Sequence, residues 1–365
     1  MGNQAVASSP PGGKYVDWSM YAPVLALLVA LFVKSSVSVT GAVILGLALL
    51  AGVLSSVHHA EVIAARVGDP FGAIILALAV TVIELGLIVS VMIGPHPEPT
   101  LVRDTMHAVV VLVLHGLAGL CIVVGAIKHR EQEFRTQGAQ AYLTVLLPMI
   151  AITLILPNHT VASPGPYYSG SQLIFVSACC LLLWLAFTFV QTIRNRDYFV
   201  VPVKQKVVTG PRPDRRTATI ALGMLLVALA AVVLLAQAVT PIIQGAVEAL
   251  GAPPALVGVI VATIVLLPEA TTAVRAALTD RLQTSINLAL GSAVSSIGLT
   301  VPTVAMIAWW TGHPLELGIS DGGALLLGLS FLMAMITYGN GRSSLLSGVV
   351  HLILLGMWLV FLIAP

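Results

Sequence analysis

The sequence has little charge, since Asp, Glu, Lys and Arg together make up only 9% of its 365 residues. Hydrophobic residues account for 58%, and the mean hydropathy is +1.01. So few polar side chains cannot cover the surface of a soluble globule of this length. The composition therefore excludes an ordinary soluble domain and indicates a protein that lies in a lipid bilayer.

Cysteine is scarce, and Cys121, Cys179 and Cys180 all fall inside apolar stretches. Thiols in such positions behave as small buried hydrophobes, so redox chemistry is not expected. The first residues lack a basic segment that leads into a short apolar core, and we expect no cleaved signal peptide.

Motifs of catalysis are missing too, because the chain has no HExxH pair and no nucleophile stands out beside a base. We therefore expect that the protein is not an enzyme. The alternative, an intramembrane enzyme, would use His58, His59 and Glu61 as metal ligands.

Long apolar stretches dominate the sequence. A transmembrane helix needs about 20 mostly apolar residues, and eleven stretches come close to that length. The sequence therefore predicts an all-α polytopic membrane protein with about 11 transmembrane helices. These stretches are 18–33, 37–57, 70–93, 105–127, 139–157, 172–192, 217–240, 254–276, 284–310, 321–338 and 346–363.

One long polar break, residues 193–216, is rich in Lys and Arg. Basic residues stay on the cytoplasmic side in short loops. If this loop is inside, all 17 Lys and Arg residues lie inside except Lys34 and Arg103. The predicted orientation has a cytoplasmic amino terminus and a carboxyl terminus on the outside.

The same loop divides the chain into two halves. We predict an N-terminal tail with an extra helix (1–36), a first repeat (37–192), the basic cytoplasmic loop (193–216) and a second repeat (217–365). Each repeat holds five predicted helices. Because five is an odd number, the second repeat must insert upside down, which gives two inverted five-helix repeats.

Two glutamates, Glu84 and Glu269, lie near the middle of long apolar stretches, and each follows another acid, Glu61 or Glu248. An ionised carboxylate at this depth costs at least ~2.5 kcal/mol, so it is seldom kept for packing alone. Such a group favours binding a proton or a cation. Secondary transporters place their substrate where inverted halves meet, so we predict that these glutamates form one cation and proton site. The alternative is a neutral, hydrogen-bonded role for each.

Other groups are candidates for lining this site. Pro268 has no N–H, so the carbonyl of Ile264 loses its helical donor and can accept from another group. On the ninth predicted helix, Asn287, Ser292 and Ser295 lie on polar lines, although small and hydroxyl residues also serve simple packing between membrane helices.

His115 shares a helical stripe with His107 and Asp104, and we expect it either to relay protons or to be a buried histidine bonded to a carbonyl. Glu61 and Glu248 lie at the predicted mouths on opposite sides. They either gather cations and protons or are simply solvated.

Four runs of sequence resemble the cation/calcium exchanger superfamily, and most closely its bacterial calcium/sodium–proton antiporters. The resemblance covers nearly the whole chain. The runs are HHAEVIAARVGDPFGAIILALAVTVIE at 58–84, MHAVVVLVLHGLAGLCIVVGAIKHRE at 106–131, VGVIVATIVLLPEATTAVRAAL at 257–278 and SINLALGSAVSSIGLTVP at 285–302.

The resemblance implies an inverted repeat of five helices in a bacterial inner membrane protein, with a cation held between two central acids and export driven by inward proton flow. Those acids map to Glu84 and Glu269. A Gly-Asn pair usually precedes the first acid in calcium/proton exchangers, but here Val80 and Thr81 stand at those places. The predicted site therefore has fewer side-chain oxygens.

Calcium prefers six to eight oxygen ligands. The two carboxylates, Thr81, groups of the ninth helix and loosened carbonyls reach six only with water. The predicted function is a secondary active cation/proton antiporter that exports Ca²⁺, and also Na⁺ or K⁺. The alternatives are a monovalent Na⁺(K⁺)/H⁺ antiporter with little Ca²⁺ transport and a cation channel, although a pore tends to show rings of charge or filter carbonyls.

The expected partners are inorganic cations, protons and the lipid bilayer, with no nucleic acid and no cofactor besides the transported ions. The oligomeric state stays open.

Overall fold

A computed structural model describes residues 18–33, 38–68, 71–92, 98–200, 212–312 and 314–364. The tail before Trp18, Lys34, Pro70 and residues 201–211 of the predicted basic loop lie outside this part of the chain.

The described residues form eleven helices, which we number α1 to α11. Nine of them are long and apolar enough to cross a membrane; α1 is shorter, and the described apolar stretch of α3 is Leu78–Val89. The predicted all-α fold with eleven helices is confirmed. The helices are α1 Trp18–Phe32, α2 Val39–Val67, α3 Phe71–Met92, α4 Leu101–His129, α5 Thr136–His159, α6 Gly170–Arg194, α7 Arg215–Ala249, α8 Ala255–Leu278, α9 Leu282–Thr311, α10 Asp321–Gly339 and α11 Leu345–Ile363.

Side chains of polar residues begin several of these helices. Ser38 accepts a hydrogen bond from the N–H of Gly41 at the start of α2, and Ser169 and Ser344 form capping boxes at α6 and α11. Asp214 caps α7, and the hydrogen bonds from Thr217 lower the pKa of its carboxyl. Such caps satisfy N–H groups that the first turn of a helix leaves without partners.

Two helices, α2 and α7, run well past the apolar stretches that predicted them, and each ends in a segment that carries a glutamate. Hydropathy finds only the part of a helix that contacts lipid, whereas the backbone continues for as long as its hydrogen bonds are satisfied. Pro241 lies inside α7 without ending it. These two long helices pack against each other, and α1 packs against both.

Packing in one half of the molecule is repeated in the other. Helix α3 packs against α9, and its counterpart α8 packs against α4. Likewise α6 packs against α9, while α11 packs against α4. Helices five positions apart in the chain thus exchange places, as expected when two five-helix repeats are related by a two-fold axis in the membrane plane.

In the described part of the chain, three helices contain a π-helical turn, at Leu112–Leu117 in α4, Ala151–Ile155 in α5 and Val190–Arg194 in α6. Each such turn inserts one extra residue into the helical repeat, and such turns are frequent at functional sites. The 3.6-residue periodicity that predicted these helices gave no sign of them.

The two ends of the bundle are defined by the residues that meet there. At the end where α6 stops, Lys128 donates to the carbonyl of Leu278 at 2.8 Å, and Asn287 donates to the carbonyl of Phe199 at 2.6 Å. We call this the basic-loop end, because the segment after α6 starts there. At the other end, the opposite end, Arg103 pairs with Glu316.

Candidate cation site

A cavity of about 130 Å³ lies between α3, α6, α8 and α9, and both central glutamates line it. Glu84 on α3 is 1% exposed and Glu269 on α8 is 8% exposed. The structure thus brings together two acids that are far apart in the sequence. The other lining residues are Leu76, Val80, Thr81, Trp184, Phe187, Thr188, Gln191, Thr192, Asn287, Leu288, Gly291, Ser292, Ser295 and Ser296.

The carboxyl of Glu84 has a hydroxyl partner on the facing helix. Ser296 on α9 donates to Oε1 of Glu84 at 2.5 Å. A hydroxyl that donates to a carboxylate favours its ionised form. Ser296 was not among the predicted site residues, although it lies four residues after Ser292, on the same polar line of α9.

Glu269 keeps one carboxyl oxygen available. Its Oε2 is buried and has no hydrogen-bond partner among the described residues. Ser292 lies beside this carboxyl, and the charges of Glu84 and Glu61 act on it. A buried carboxylate oxygen without a donor is costly unless a proton or a cation occupies it.

The predicted residues of α9 line the cavity, but they differ in what they offer. The amide of Asn287 is already occupied, because it accepts from Gln283 at 2.9 Å and donates to the backbone at the end of α6. Ser295 accepts from the indole N–H of Trp184 at 3.3 Å. Thr81, which the sequence also predicted, lines the cavity from α3.

Helix α6 supplies a wall of the cavity that the sequence analysis missed. Its lining residues contain no charge, and they are Trp184, Phe187, Thr188, Gln191 and Thr192. The one signal available was the spacing of the three polar residues, three and four apart, which puts them on one face of a helix.

Two predicted lining residues do not reach this cavity. Ile264 packs instead with the apolar cluster around α2 and α7. His115 is buried elsewhere, against His351 of α11. The reason is rotational, since the face of α4 that carries His115 is turned toward α11.

The predicted mouth acids lie at opposite ends of the molecule, and both are exposed. Glu61 is in the last part of α2, near His58 and Arg275. Glu248 is at the end of α7, near the opposite end.

The cavity extends toward the basic-loop end. Thr192 lies two residues before α6 ends, and Asn287 lies five residues after α9 begins. Both are partly exposed, whereas the two glutamates at the inner limit of the cavity are buried. Water and ions can therefore approach the carboxyls from the end that carries the basic loop.

An inverted bundle in which two buried carboxyls line one cavity defines a class, the secondary transporters. The comparisons with known proteins narrow this class. The chain matches the family described as sodium/calcium exchanger protein over residues 22–193 and 220–364, and it belongs to that family. The family resemblance drawn from the sequence is confirmed.

Two curated relatives are similar over almost the whole chain. A protein of Sinorhizobium fredii, named as the ionic transporter y4hA, is 42% identical over 95% of this chain and 96% of its own length. The sodium-potassium/proton antiporter ChaA of Escherichia coli is 30% identical over 96% of this chain and 97% of its own length.

Solved structures share the fold. Native YfkE superposes with a TM-score of 0.70 at 17% identity and covers 95% of this chain and 99% of its own. An H⁺/Ca²⁺ exchanger, CAX, has a TM-score of 0.69 at 14% identity and covers 94% of this chain and 89% of its own. With its apolar helices and this fold, the chain is a multi-pass membrane protein.

Proposed function

We propose that the chain is a cation/proton antiporter in which Glu84 and Glu269 bind a cation and protons in turn. One observation carries the proposal: both carboxyls line a single cavity together with the hydroxyls of Ser292 and Ser296. The relatives named as antiporters support the same class of transport.

Coupling follows from charge. With both carboxyls ionised and the site empty, a charge of −2 would have to pass through a dry barrier, which is costly. A cation or protons neutralise the pair, so the carrier changes its facing only when one or the other is bound. This condition converts two separate binding events into an exchange.

The oxygen supply favours monovalent cations as the principal substrate. Among the described residues no group of three or more His, Cys, Asp or Glu is arranged to hold a metal ion. Val80 contributes a methyl group to the cavity, and the amide of Asn287 is already bonded. Two carboxylates and a few hydroxyls suit Na⁺ or K⁺, and the full-length match to a sodium-potassium/proton antiporter agrees.

Ca²⁺ export is the second candidate. The pair of carboxyls has the charge that one divalent cation neutralises, and Ser292, Ser296 and Thr81 add hydroxyls beside it. With water, these groups reach the six to eight oxygens that Ca²⁺ requires. Relatives named as Ca²⁺/H⁺ antiporters match 68% and 69% of the chain at 22% and 21% identity.

The orientation is also a proposal. At the basic-loop end the described basic residues include Arg66, Lys128, Arg275 and Arg342, whereas Arg103 is at the opposite end. The positive-inside rule then places the basic-loop end in the cytoplasm of a bacterial cell, with the carboxyl terminus outside. In this orientation the cavity faces inward.

Exchange in proteoliposomes tests the function. The vesicles carry a pH-sensitive dye, and Na⁺, K⁺ or Ca²⁺ is added separately to the wild type, Glu84→Gln, Glu269→Gln and the control Glu133→Gln, whose side chain is exposed at the basic-loop end. We expect saturable, cation-driven proton movement in the wild type and the control, and its loss in both central variants.

The outcomes separate the candidates. A response to Na⁺ and K⁺ with little response to Ca²⁺ supports the monovalent antiporter, and the reverse supports Ca²⁺ export. Full activity in either central variant would contradict the assigned roles. Current that rises linearly with cation concentration would instead indicate a channel.

A further inference from the structure

The side-chain amide of Gln191 on α6 is fixed at the wall of the cation cavity. Gln191 lines this cavity, and its Nε2 donates to the hydroxyl of Tyr142 on α5 at 2.7 Å. Tyr142 is 0% exposed and lies behind the wall. An amide carries its donor and its acceptor on the same carbon, so a bond that fixes Nε2 also fixes Oε1. The amino group is turned toward α5, and the carbonyl oxygen is left for the cavity.

The hydroxyl of Tyr142 is itself held in place by packing. The ring of Tyr142 contacts those of Phe187 and Phe199, at 4.8 and 5.5 Å between centroids. A buried tyrosine hydroxyl usually finds a hydrogen-bond partner, and Gln191 provides it here. A ring that an aromatic cluster immobilises therefore holds a long, otherwise adaptable side chain in one orientation.

Gly291 on α9 shows how far inside the cavity the amide lies. A Cβ added at Gly291 would be 3.7 Å from the hydroxyl oxygen of Tyr142, and Gly291 also lines the cavity. On α9 it lies one turn further in than Asn287, which is near the mouth. Ser296, the partner of Glu84, follows Gly291 by five residues, or about 7.5 Å of helix. The amide therefore lies between the mouth and the carboxyl pair.

Hydroxyl groups accompany the amide on the same wall. Thr188 and Thr192 line the cavity beside Gln191, and none of the three carries a charge. The hydroxyl of Thr192 donates to the carbonyl of Thr188 at 2.6 Å, so the lone pairs of this hydroxyl oxygen still face other groups. Gln191 and Thr192 lie in the π-helical turn Val190–Arg194, a kind of turn that is frequent at functional sites.

A neutral amide oxygen differs from a carboxyl in what it binds. Carbonyl oxygens replace the hydration shell of monovalent cations in selective sites. An amide does not titrate, so protons do not compete with a cation for its oxygen. The buried carboxyls of Glu84 and Glu269, by contrast, accept either a proton or a cation. Gln191 can therefore discriminate a cation from a proton, which the carboxyl pair alone cannot do.

We propose that Gln191 forms an entry station for a partly hydrated monovalent cation. Its Oε1 replaces a water on the ion before the ion reaches Glu84 and Glu269. Tyr142 is a positioning residue, because it keeps the oxygen of the amide, rather than the amino group, turned toward the ion. The entry station rests on the proposed function, since it determines how that carrier admits its cation from the basic-loop end.

Cation-driven proton movement in everted membrane vesicles tests the entry station, with Na⁺ or K⁺ added at the basic-loop end. Gln191→Leu removes the oxygen, and Tyr142→Phe keeps the ring but removes the hydroxyl that orients the amide. Gln191→Glu keeps an oxygen for the cation, and its carboxylate can accept from the hydroxyl of Tyr142. The matched control is Gln140→Leu, an exposed glutamine on α5.

We expect the apparent KM for the cation to rise about tenfold in Gln191→Leu and by a smaller factor in Tyr142→Phe, because one contact with the ion is lost or misdirected. The maximal rate should change little, and the factor should be the same at every pH, since the amide does not bind protons. At about pH 8, where its carboxyl is ionised, Gln191→Glu should have a KM at or below that of the wild type. Gln140→Leu should match the wild type.

Three results would overturn the entry station. One is an unchanged KM in Gln191→Leu. Another is a rise in KM that grows as the pH falls, because the effect would then pass through the carboxyls. The third is an equal rise in Gln191→Glu and Gln191→Leu, which would show that the shape of the side chain matters and its oxygen does not.

Glutamine NMR on the full-length wild type in nanodiscs gives a readout that needs no transport. With selective ¹⁵N labelling, the side-chain signal of Gln191 is identified by its absence in whichever Gln191 variant folds. Na⁺ or K⁺ that replaces choline at constant ionic strength should shift this signal, and a signal that does not move overturns the entry station. Failure of the proposed function is distinct, since it appears as absent cation-driven proton movement in the wild type.

Discussion

Ser296 and Glu84 show how a carboxyl is kept in the middle of an apolar bundle. The hydroxyl donates to Oε1, while the other central acid, Glu269, retains a buried oxygen without a donor. The two acids therefore differ although they occupy equivalent places in the two repeats. The Oε2 oxygen of Glu269 is therefore the atom of the pair that a proton or a cation can occupy without displacing a donor.

Replacement of Ser296 should weaken cation binding. Hydrogen bonds to charged groups contribute about 1.5–3 kcal/mol, so Ser296→Ala should raise the apparent KM for the cation about tenfold or more, with the larger effect at low pH where protons compete. The measurement is cation-driven proton movement at several pH values. The control is Ser330→Ala on α10, whose hydroxyl donates to the carbonyl of Leu326 in its own helix at 2.8 Å.

An unchanged KM in Ser296→Ala at every pH would contradict the role given to this hydroxyl. A fall in the maximal rate alone would place Ser296 in the conformational step instead.

The sequence identified the two acids because a charge in a long apolar stretch is conspicuous by itself. It did not single out Ser296 from its polar line, and it missed Gln191 and the link from His115 to His351. Neutral polar residues are common packing groups in membrane helices, and only the tertiary arrangement shows which of them face a carboxyl or each other.

Among the helices, α4 and α8 cross in close contact near the opposite end. A Cβ added at Gly258 would lie 2.8 Å from the backbone carbon of Asp104 and 2.8 Å from the nitrogen of Thr105. Backbone atoms cannot move aside as a side chain can. The crossing therefore requires glycine at this position.

Gly258→Ala should destabilise the protein by about 1–3 kcal/mol, the usual cost of overpacking. The matched control is Gly245→Ala on α7, which has nothing within 4 Å of the added Cβ. There alanine should be neutral or stabilise by up to about 1 kcal/mol, because glycine is the poorer helix former. Thermal unfolding in one detergent, followed for both variants, checks the pair.

Equal Tm values for the two variants would mean that α4 and α8 are farther apart in the membrane than described.

Helix existence was predictable and helix extent was not. Apolar length located all eleven helices, since a bilayer imposes that length directly. The long ends of α2 and α7 and the π-helical turns depend on contacts between helices, which hydropathy does not record.

In the molecule as a whole, the cavity opens toward the basic-loop end. It reaches from the two glutamates to Thr192 and Asn287 at the basic-loop end, while Arg103 and Glu316 are paired at the other end. The predicted inverted repeats explain how the bundle can be open at one end, because the same packing in the other half would allow it to open at the other end.

This facing predicts one-sided labelling. In a chain whose three cysteines are replaced by alanine, Thr192→Cys should react with a membrane-impermeant thiol reagent in everted vesicles, and the transported cation should slow the reaction. The control is Val176→Cys on the same helix, a buried position near the opposite end that should stay unlabelled. Labelling of Thr192→Cys only in right-side-out vesicles would reverse the proposed orientation.

The π-helical turns have a further consequence. All three that the described residues contain are in α4, α5 and α6, on the amino-terminal side of the basic loop. If the two halves were identical, the inward-open and outward-open conformations would be equivalent and equal in free energy. Here the π-helical turns make the two halves differ, so one of the two conformations is lower in free energy. The transporter should therefore rest open to one side, and it should exchange ions faster in one direction than in the other under equal gradients.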